Sequence, residues 1–291
     1  MTLRIIPRLD IKGPNLVKGI HMEGLRVLGK PEWFARHYYE GGADELIYMD
    51  VVASLYGRNS LVEIIERTSQ EIFIPLAVGG GLRTLDDISA VLRAGADKVS
   101  LNTAAIGRPE LISEAARRFG SSTIVVSIEA IKHPDGTYEA FTDNGRESTG
   151  VDAMEWAMRA AELGAGEIFV TSIDREGTGK GFDTELVRKI ADSVTVPVIA
   201  CGGAGNTDHV VETVELGNAD AVSVASVLHY GAVEHFAAAD GQYEGEGNIE
   251  YLRGGRQFSL MQGATIREIK GALSKAGIDT RLDSEVPAVA E

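Results

Sequence analysis

The sequence predicts an α/β chain, a (β/α)8 TIM barrel built from two repeated half-barrels, on three observations. Eight short β-branched runs alternate with amphipathic segments of helical length. Val, Ile and Leu fill both faces of most runs, the pattern of parallel strands covered by helices. The first half of the chain also recurs in the second. Strand count alone favours the barrel but leaves a doubly wound open sheet as its rival; the repeat decides for the barrel.

In order along the chain, Arg4–Leu9 is an apolar run that stops at Asp10, and Glu45–Met49 is the second such run. Ile72–Val78 is the third; it enters the glycine turn "VGGGLRT" and then the amphipathic segment Thr84–Ala94. Lys98–Leu101 is followed by the helical segment Pro109–Phe119. The fifth run, Thr123–Ile128, stops at Glu129 and precedes the helix expected over Val151–Leu163. Glu167–Thr171 leads to Thr184–Ser193, and Val194–Ala200 leads through "CGGAGNT" to Thr207–Leu216. Ala221–Val224 is the eighth strand.

The overlay is specific. "IPLAVGGGLRTLDDISAVLRAGADKVSLNTA" from Ile74 matches "VPVIACGGAGNTDHVVETVELGNADAVSVAS" from Val196, pairing Pro75 with Pro197, Gly80 with Gly202, Gly81 with Gly203 and Asp97 with Asp220. "ADELIYMD" from Ala43 lies over "AGEIFVTS" from Ala165, and "RIIPRLD" from Arg4 lies over "TIVVSIE" from Thr123. A single barrel is therefore expected across residues 1–291, with an insertion after the eighth strand at 231–262 and a disordered tail at 283–291.

Composition bounds the function. With 44% hydrophobic and 24% charged residues, the 291-residue chain can bury a sizeable core. A net charge of −15 disfavours nucleic acid and acidic membrane surfaces, although a local basic patch can still hold small phosphates. The single cysteine, Cys201, suits a reducing compartment. The N-terminal "MTLRIIPRLD" lacks the apolar core of a signal peptide, and no charge-free apolar run reaches the ~18 residues of a membrane span. A cytoplasmic chain without metal or cofactor is expected.

The overlay makes Asp10 and Glu129 symmetry mates at the C-terminal ends of strands 1 and 5, the face of such barrels where chemistry occurs. Two carboxylates across one solvated mouth suit a general acid and a general base. The competing reading is that each caps a turn or pairs with Lys12 or Lys132. The two glycine turns each follow a strand and open a helix, where free N–H groups favour an anion. Gly80, Gly81, Asn102 and Thr103 form one candidate phosphate cradle, and Gly202, Gly203, Ala225 and Ser226 the other. Matching cradles imply a substrate with phosphate at both ends.

These residues resemble a known family. "RIIPRLDIKG", "NLVKG", "GADELIYMD", "VGGGLRT", "GADKVSLNTAA", "GAGEIFVTSIDREGT" and "ACGGAGN" are similar to the cyclase subunit of imidazole glycerol phosphate synthase, over about residues 3–230 and again over about 264–282. The resemblance implies a heterodimer with a glutaminase that docks beneath the barrel and sends ammonia through its interior. It implies a formimino-linked bis-phosphate substrate, split to imidazole glycerol phosphate and an aminoimidazole carboxamide ribotide. It places the catalytic acid on Asp10, a substrate-holding loop lysine on Lys18, and an ammonia gate on Arg4, Glu45, Lys98 and Glu167. Asp97 becomes the acid that contacts the glutaminase. From "TSIDREGT" and the end of strand 7, Thr171, Glu176, Gly177 and Cys201 join the substrate contacts.

Four residues around the mouth depart from that family's pattern: Glu129 and Glu176 replace aspartates, Cys201 a serine and Arg8 a cysteine. In the 231–262 insertion, Tyr243, Tyr251, Arg253, Arg256 and Phe258 are suited to touching a substrate. Such departures keep three alternatives open: a paralogue using channelled ammonia on another phosphorylated or sugar substrate, an aminoaldose–aminoketose isomerase, and a non-catalytic scaffold that activates a glutaminase. The four gate charges argue against the isomerase, and Asp10 with both cradles against the scaffold.

Overall fold

A computed structural model of the chain describes residues 2–53, 61–238 and 261–281, with backbone alone from 234 to 238. The first half-barrel runs β1 (Arg4–Lys12), a hairpin of β2 (Asn15–Ile20) and β3 (Glu23–Gly29), α1 (Pro31–Glu40), β4 (Leu46–Asp50) and α2 (Val62–Ser69). It continues through β5 (Leu76–Gly79), α3 (Leu85–Arg93), β6 (Lys98–Leu101), α4 (Thr103–Gly107) and α5 (Glu110–Phe119). The second runs β7 (Ile124–Lys132), a hairpin of β8 (Tyr138–Thr142) and β9 (Glu147–Asp152), α6 (Ala153–Glu162), β10 (Glu167–Ser172) and α7 (Thr184–Ser193). Then come β11 (Val198–Cys201), α8 (Thr207–Gly217), β12 (Ala221–Val224), α9 (Ser226–Ala238) and α10 (Ile266–Lys275).

Strands β1, β4, β5, β6, β7, β10, β11 and β12 pair in parallel around a closed circle, β12 returning to β1. The chain is the barrel that its repeat predicts. Alternate strand residues face the axis, so two separate apolar clusters form. Ile6, Ile47, Ala77, Val125, Phe169 and Ile199 fill the inside, and a larger cluster joins the outer strand faces to the helices. Burying each such Ile or Phe contributes about 1.5–3 kcal/mol.

Three differences from the sequence reading have physical reasons. Strands β5 and β11 begin later than their apolar runs, just after Pro75 and Pro197, because proline has no N–H to give a ladder. Their carbonyls still accept from Leu46 (2.9 Å) and Ile168 (3.0 Å). β1 and β7 instead run on to Lys12 and Lys132, each continuing into an antiparallel hairpin that the eight-run reading omitted. The turn signals were present. In the β8–β9 turn Asp143, Asn144 and Gly145 all have positive φ (51°, 59° and 75°), which Asp-Asn-Gly tolerates well.

The repeat survives in detail. Asp97 Oδ2 accepts from Leu76 N–H at 2.9 Å, and its mate Asp220 Oδ2 from Val198 N–H at 2.8 Å, so each acid fixes the start of the neighbouring strand. At the same face Lys270 of α10 donates to Asp44 (2.9 Å) and to the Gly42 carbonyl (2.7 Å), fastening the last helix to the barrel floor.

Of the 231–262 segment, residues 231–238 continue α9, and Gln262 returns to donate its N–H to the Gly205 carbonyl at 2.8 Å. Tyr243, Tyr251, Arg253, Arg256 and Phe258 lie outside the described residues, as does 283–291. No helix among the described residues is long and apolar enough to cross a membrane.

Candidate active site

Asp10 ends the axial face of β1 and Glu129 that of β7, both at the C-terminal mouth. Neither is solvated: each is only 4% exposed, against the expectation of a wet rim. The hairpins β2–β3 and β8–β9 rise from the same two strand ends and cover them. Nor do the acids pair with Lys12 or Lys132; the latter bonds Glu185 at 2.6 Å on the outer surface.

Asp10 is held by two buried cations. Arg8 Nε donates to its Oδ1 at 2.7 Å and Lys18 Nζ to its Oδ2 at 3.2 Å. Lys18 lies on strand β2 and is buried, not on a loop as expected, and its ammonium also pairs with Glu176. Burial by itself would raise the Asp10 carboxyl, but Arg8 and then Lys18 outweigh it and hold the group below the usual aspartate range. The opposite wins at Glu129. Burial pushes its carboxyl from the ordinary 4.5 up to about 7; the more distant charge of Arg8 and the Gly145 N–H oppose the rise, and the charges of Asp10 and Asp143 add to it. Asn102 Nδ2 donates to Glu129 Oε2 at 3.1 Å. Near neutral pH the mouth therefore holds one ionised acid and one that is partly protonated, the division a general base and a general acid require.

The first cradle opens onto a cavity of about 310 Å³ lined by Gly80, Gly81, Asn102, Thr103 and Glu129. Gly80 has φ 99° and no room for a side chain, since a Cβ there would stand 2.3 Å from the Asp50 carbonyl. The second cradle is differently furnished. The Glu176 carboxylate lies over Gly202, 3.2 Å from where a Cβ would stand, and Gly203 accepts at its carbonyl from Gly181 N–H at 2.8 Å. Ala225 and Ser226 are buried beside it, and Gly177 has φ 73°, close against the Gly19 carbonyl of β2. Thr171 and Cys201 face the axis, where both meet Arg8.

At the other end of the barrel four charges close a ring. Arg4 bonds Glu45 at 2.9 Å and Glu167 at 2.8 Å, and Lys98 bonds the same two acids at 2.8 and 3.0 Å. Every charge has two partners of opposite sign, which offsets the cost of placing it at a constricted opening. Asp97, beside Lys98, is exposed, with one carboxylate oxygen tied to Leu76.

The sequence reading left three residues of the mouth without a role: Arg8, Asp50 and Asn144. Asp50 and Asn144 line the first cavity. Asp50 was visible in the overlay as the mate of Ser172, at a strand end. Asn144 carried the hairpin-turn signal but no spacing that aims it at the mouth.

Comparison with known proteins gives the family. A model of the family described as "Histidine biosynthesis protein" matches residues 4–234. The chain is 59% identical over 206 residues to a Legionella pneumophila protein named imidazole glycerol phosphate synthase subunit HisF, covering 71% of this chain and 97% of that one. A protein of the same name from Streptomyces griseus subsp. griseus is 50% identical over 231 residues, 79% of this chain and 92% of its own length. The match across 4–234, with relatives so similar and so fully covered, shows that this chain belongs to the histidine biosynthesis protein family.

Proposed function

We propose that the chain is the cyclase subunit of imidazole glycerol phosphate synthase. It uses ammonia from a glutaminase partner to convert a formimino-linked bis-phosphate into imidazole glycerol phosphate and an aminoimidazole carboxamide ribotide. One observation carries the reading: a fully paired ring of four charges at the floor of the barrel stands opposite two acids in contrasting protonation states at its mouth. The two relatives named above bear that subunit name.

In this reading the ring of Arg4, Glu45, Lys98 and Glu167 is the entrance for ammonia, and Asp97 stands on the face that meets the glutaminase. The ammonia nitrogen replaces a substrate oxygen, which leaves as water, and it sheds protons as it bonds to carbon; ionised Asp10 is placed to take one. The departing ribotide amine must gain one, and Glu129, protonated in part at neutral pH, is placed to give it. Gly80, Gly81, Asn102 and Thr103 hold one phosphate of the substrate; Gly202, Gly203, Ala225 and Ser226 hold the other. Lys18, Thr171, Glu176, Gly177 and Cys201 complete the walls of the mouth.

A second reading has its own observation. The Glu176 carboxylate lies where the second phosphate is expected, over Gly202. That favours a paralogue whose substrate has a different far end.

Purified chain supplied with the bis-phosphate and an ammonium salt separates the two. Imidazole glycerol phosphate and the ribotide are expected in equal amounts. Tight binding of the bis-phosphate without product would favour the paralogue, and no binding at all would defeat the bis-phosphate reading.

A further inference from the structure

Between the charged ring and the acids the barrel is crossed by one large cation. Four residues from alternate strands make each interior layer of such a barrel. The registers and strand tilt set Arg8 of β1 level with Gly79 of β5, Ser127 of β7 and Cys201 of β11. Its three companions are small, so the arginine fills the layer. The residue is 1% exposed and reaches across the axis: Nη1 lies 3.3 Å from Thr171 Oγ1 and 3.6 Å from Cys201 Sγ, and the guanidinium carbon 5.9 Å from the centre of the Phe169 ring. Its Nε meanwhile grips Asp10.

Just below, the Ser100 and Ser223 hydroxyls are buried without a partner among the described residues, and the Ser127 hydroxyl likewise at the level of Arg8. Buried hydroxyls are ordinarily satisfied. A small neutral molecule able to donate and accept hydrogen bonds would satisfy these three. Any such molecule travelling along the axis must then pass the guanidinium to reach Asp10.

We propose that Arg8 is both an inner barrier on the ammonia path and the positioning residue of Asp10, so that the interior opens to the mouth only when the guanidinium leaves Thr171 and Cys201. The proposal rests on the cyclase reading above. A cation at this level also turns back ammonium and lets the neutral molecule through, since like charges repel strongly in a poorly solvated interior. The groups around Asp10 and Arg8 are Lys18 of β2, Glu176 beyond β10, Glu129 of β7, Cys201 of β11 and neutral His229 of α9. Arg8 is foremost among those that keep Asp10 ionised.

The test uses the chain with its glutaminase and two variants. Arg8→Ala removes both charge and span. The acidic limb of kcat/KM, plotted against free ammonia, is expected to move up by ~1 pH unit, as for a carboxylate losing a neighbouring cation. More glutamine should be consumed than product formed, because ammonia escapes through an uncovered mouth. Arg8→Lys keeps a cation near Asp10 but is too short to span to Thr171 and Cys201, so the limb should stay in place while the excess glutamine use persists. A moved limb with one glutamine per product overturns the barrier, and an unmoved limb in Arg8→Ala overturns the positioning role. Absence of turnover by the wild type with ammonium salt would overturn the cyclase reading and this proposal with it; wild-type turnover with either Arg8 result above overturns this proposal alone.

Discussion

Glu129→Gln is expected to lower turnover by at least ~100-fold, the usual scale for loss of a general acid or base, while making the protein more stable at alkaline pH. The two effects share one cause. Burial raises the Glu129 carboxyl from 4.5 to about 7, so the folded state holds its proton more tightly than the unfolded chain does. The raised value makes the protonated form the favoured one: its advantage is complete below 4.5 and is lost as pH rises through about 7. The shift amounts to ~3 kcal/mol. Denaturant unfolding at pH 8 should find Glu129→Gln more stable by up to about that amount, and at pH 4 nearly equal to wild type. Wild-type kcat/KM should fall as pH rises past about 7, where the acid is lost. Unchanged turnover in Glu129→Gln would reduce Glu129 to a cap on the end of β7.

Asp10→Asn should cost a similar factor in turnover with the opposite effect on stability. The carboxylate satisfies two buried cations, Arg8 at 2.7 Å and Lys18 at 3.2 Å. Removing its charge breaks a buried ion pair, for which ~3 kcal/mol is the low end of the usual range. The low end applies because Lys18 keeps Glu176 and Arg8 keeps Thr171. Here the folded group is held below its ordinary value, so its contribution is present at neutral pH and fades as pH falls through the acid range. Equilibrium unfolding at pH 7 checks the loss. If Asp10→Asn proves as stable as wild type, the clamp around Asp10 is not the interaction described here.

Much of this was legible in the sequence because duplication writes the same chemistry twice. The pairing of Pro75 with Pro197 and Asp97 with Asp220 located both half-barrels, and the overlay put Asp10 and Glu129 at matching strand ends. The charges of the floor ring were named through the family resemblance, and their places at or just before strand starts put all four on one face. Burial of the two acids was not, since it depends on hairpins whose turns, although marked by Asp-Asn-Gly, say nothing of what they cover. Arg8 was visible only as an oddity. Which residues share its level is set by the tilt and register of eight strands, so Gly79, Ser127 and Cys201 become its neighbours from positions 71, 119 and 193 residues away (79 − 8, 127 − 8, 201 − 8). The pairing of Glu176 was equally hidden, because Lys18 reaches it from a strand 158 residues earlier.

The claim that ammonia enters at the charged floor and is consumed at the two acids can be tested directly by the origin of the product's nitrogen. The chain and its glutaminase are given glutamine labelled with nitrogen-15 at the amide, together with the bis-phosphate and an excess of unlabelled ammonium, at a pH where little free ammonia is present. Transfer through the barrel requires imidazole glycerol phosphate to carry the label despite the surrounding pool. Product labelled no more than the bulk ammonium would contradict it.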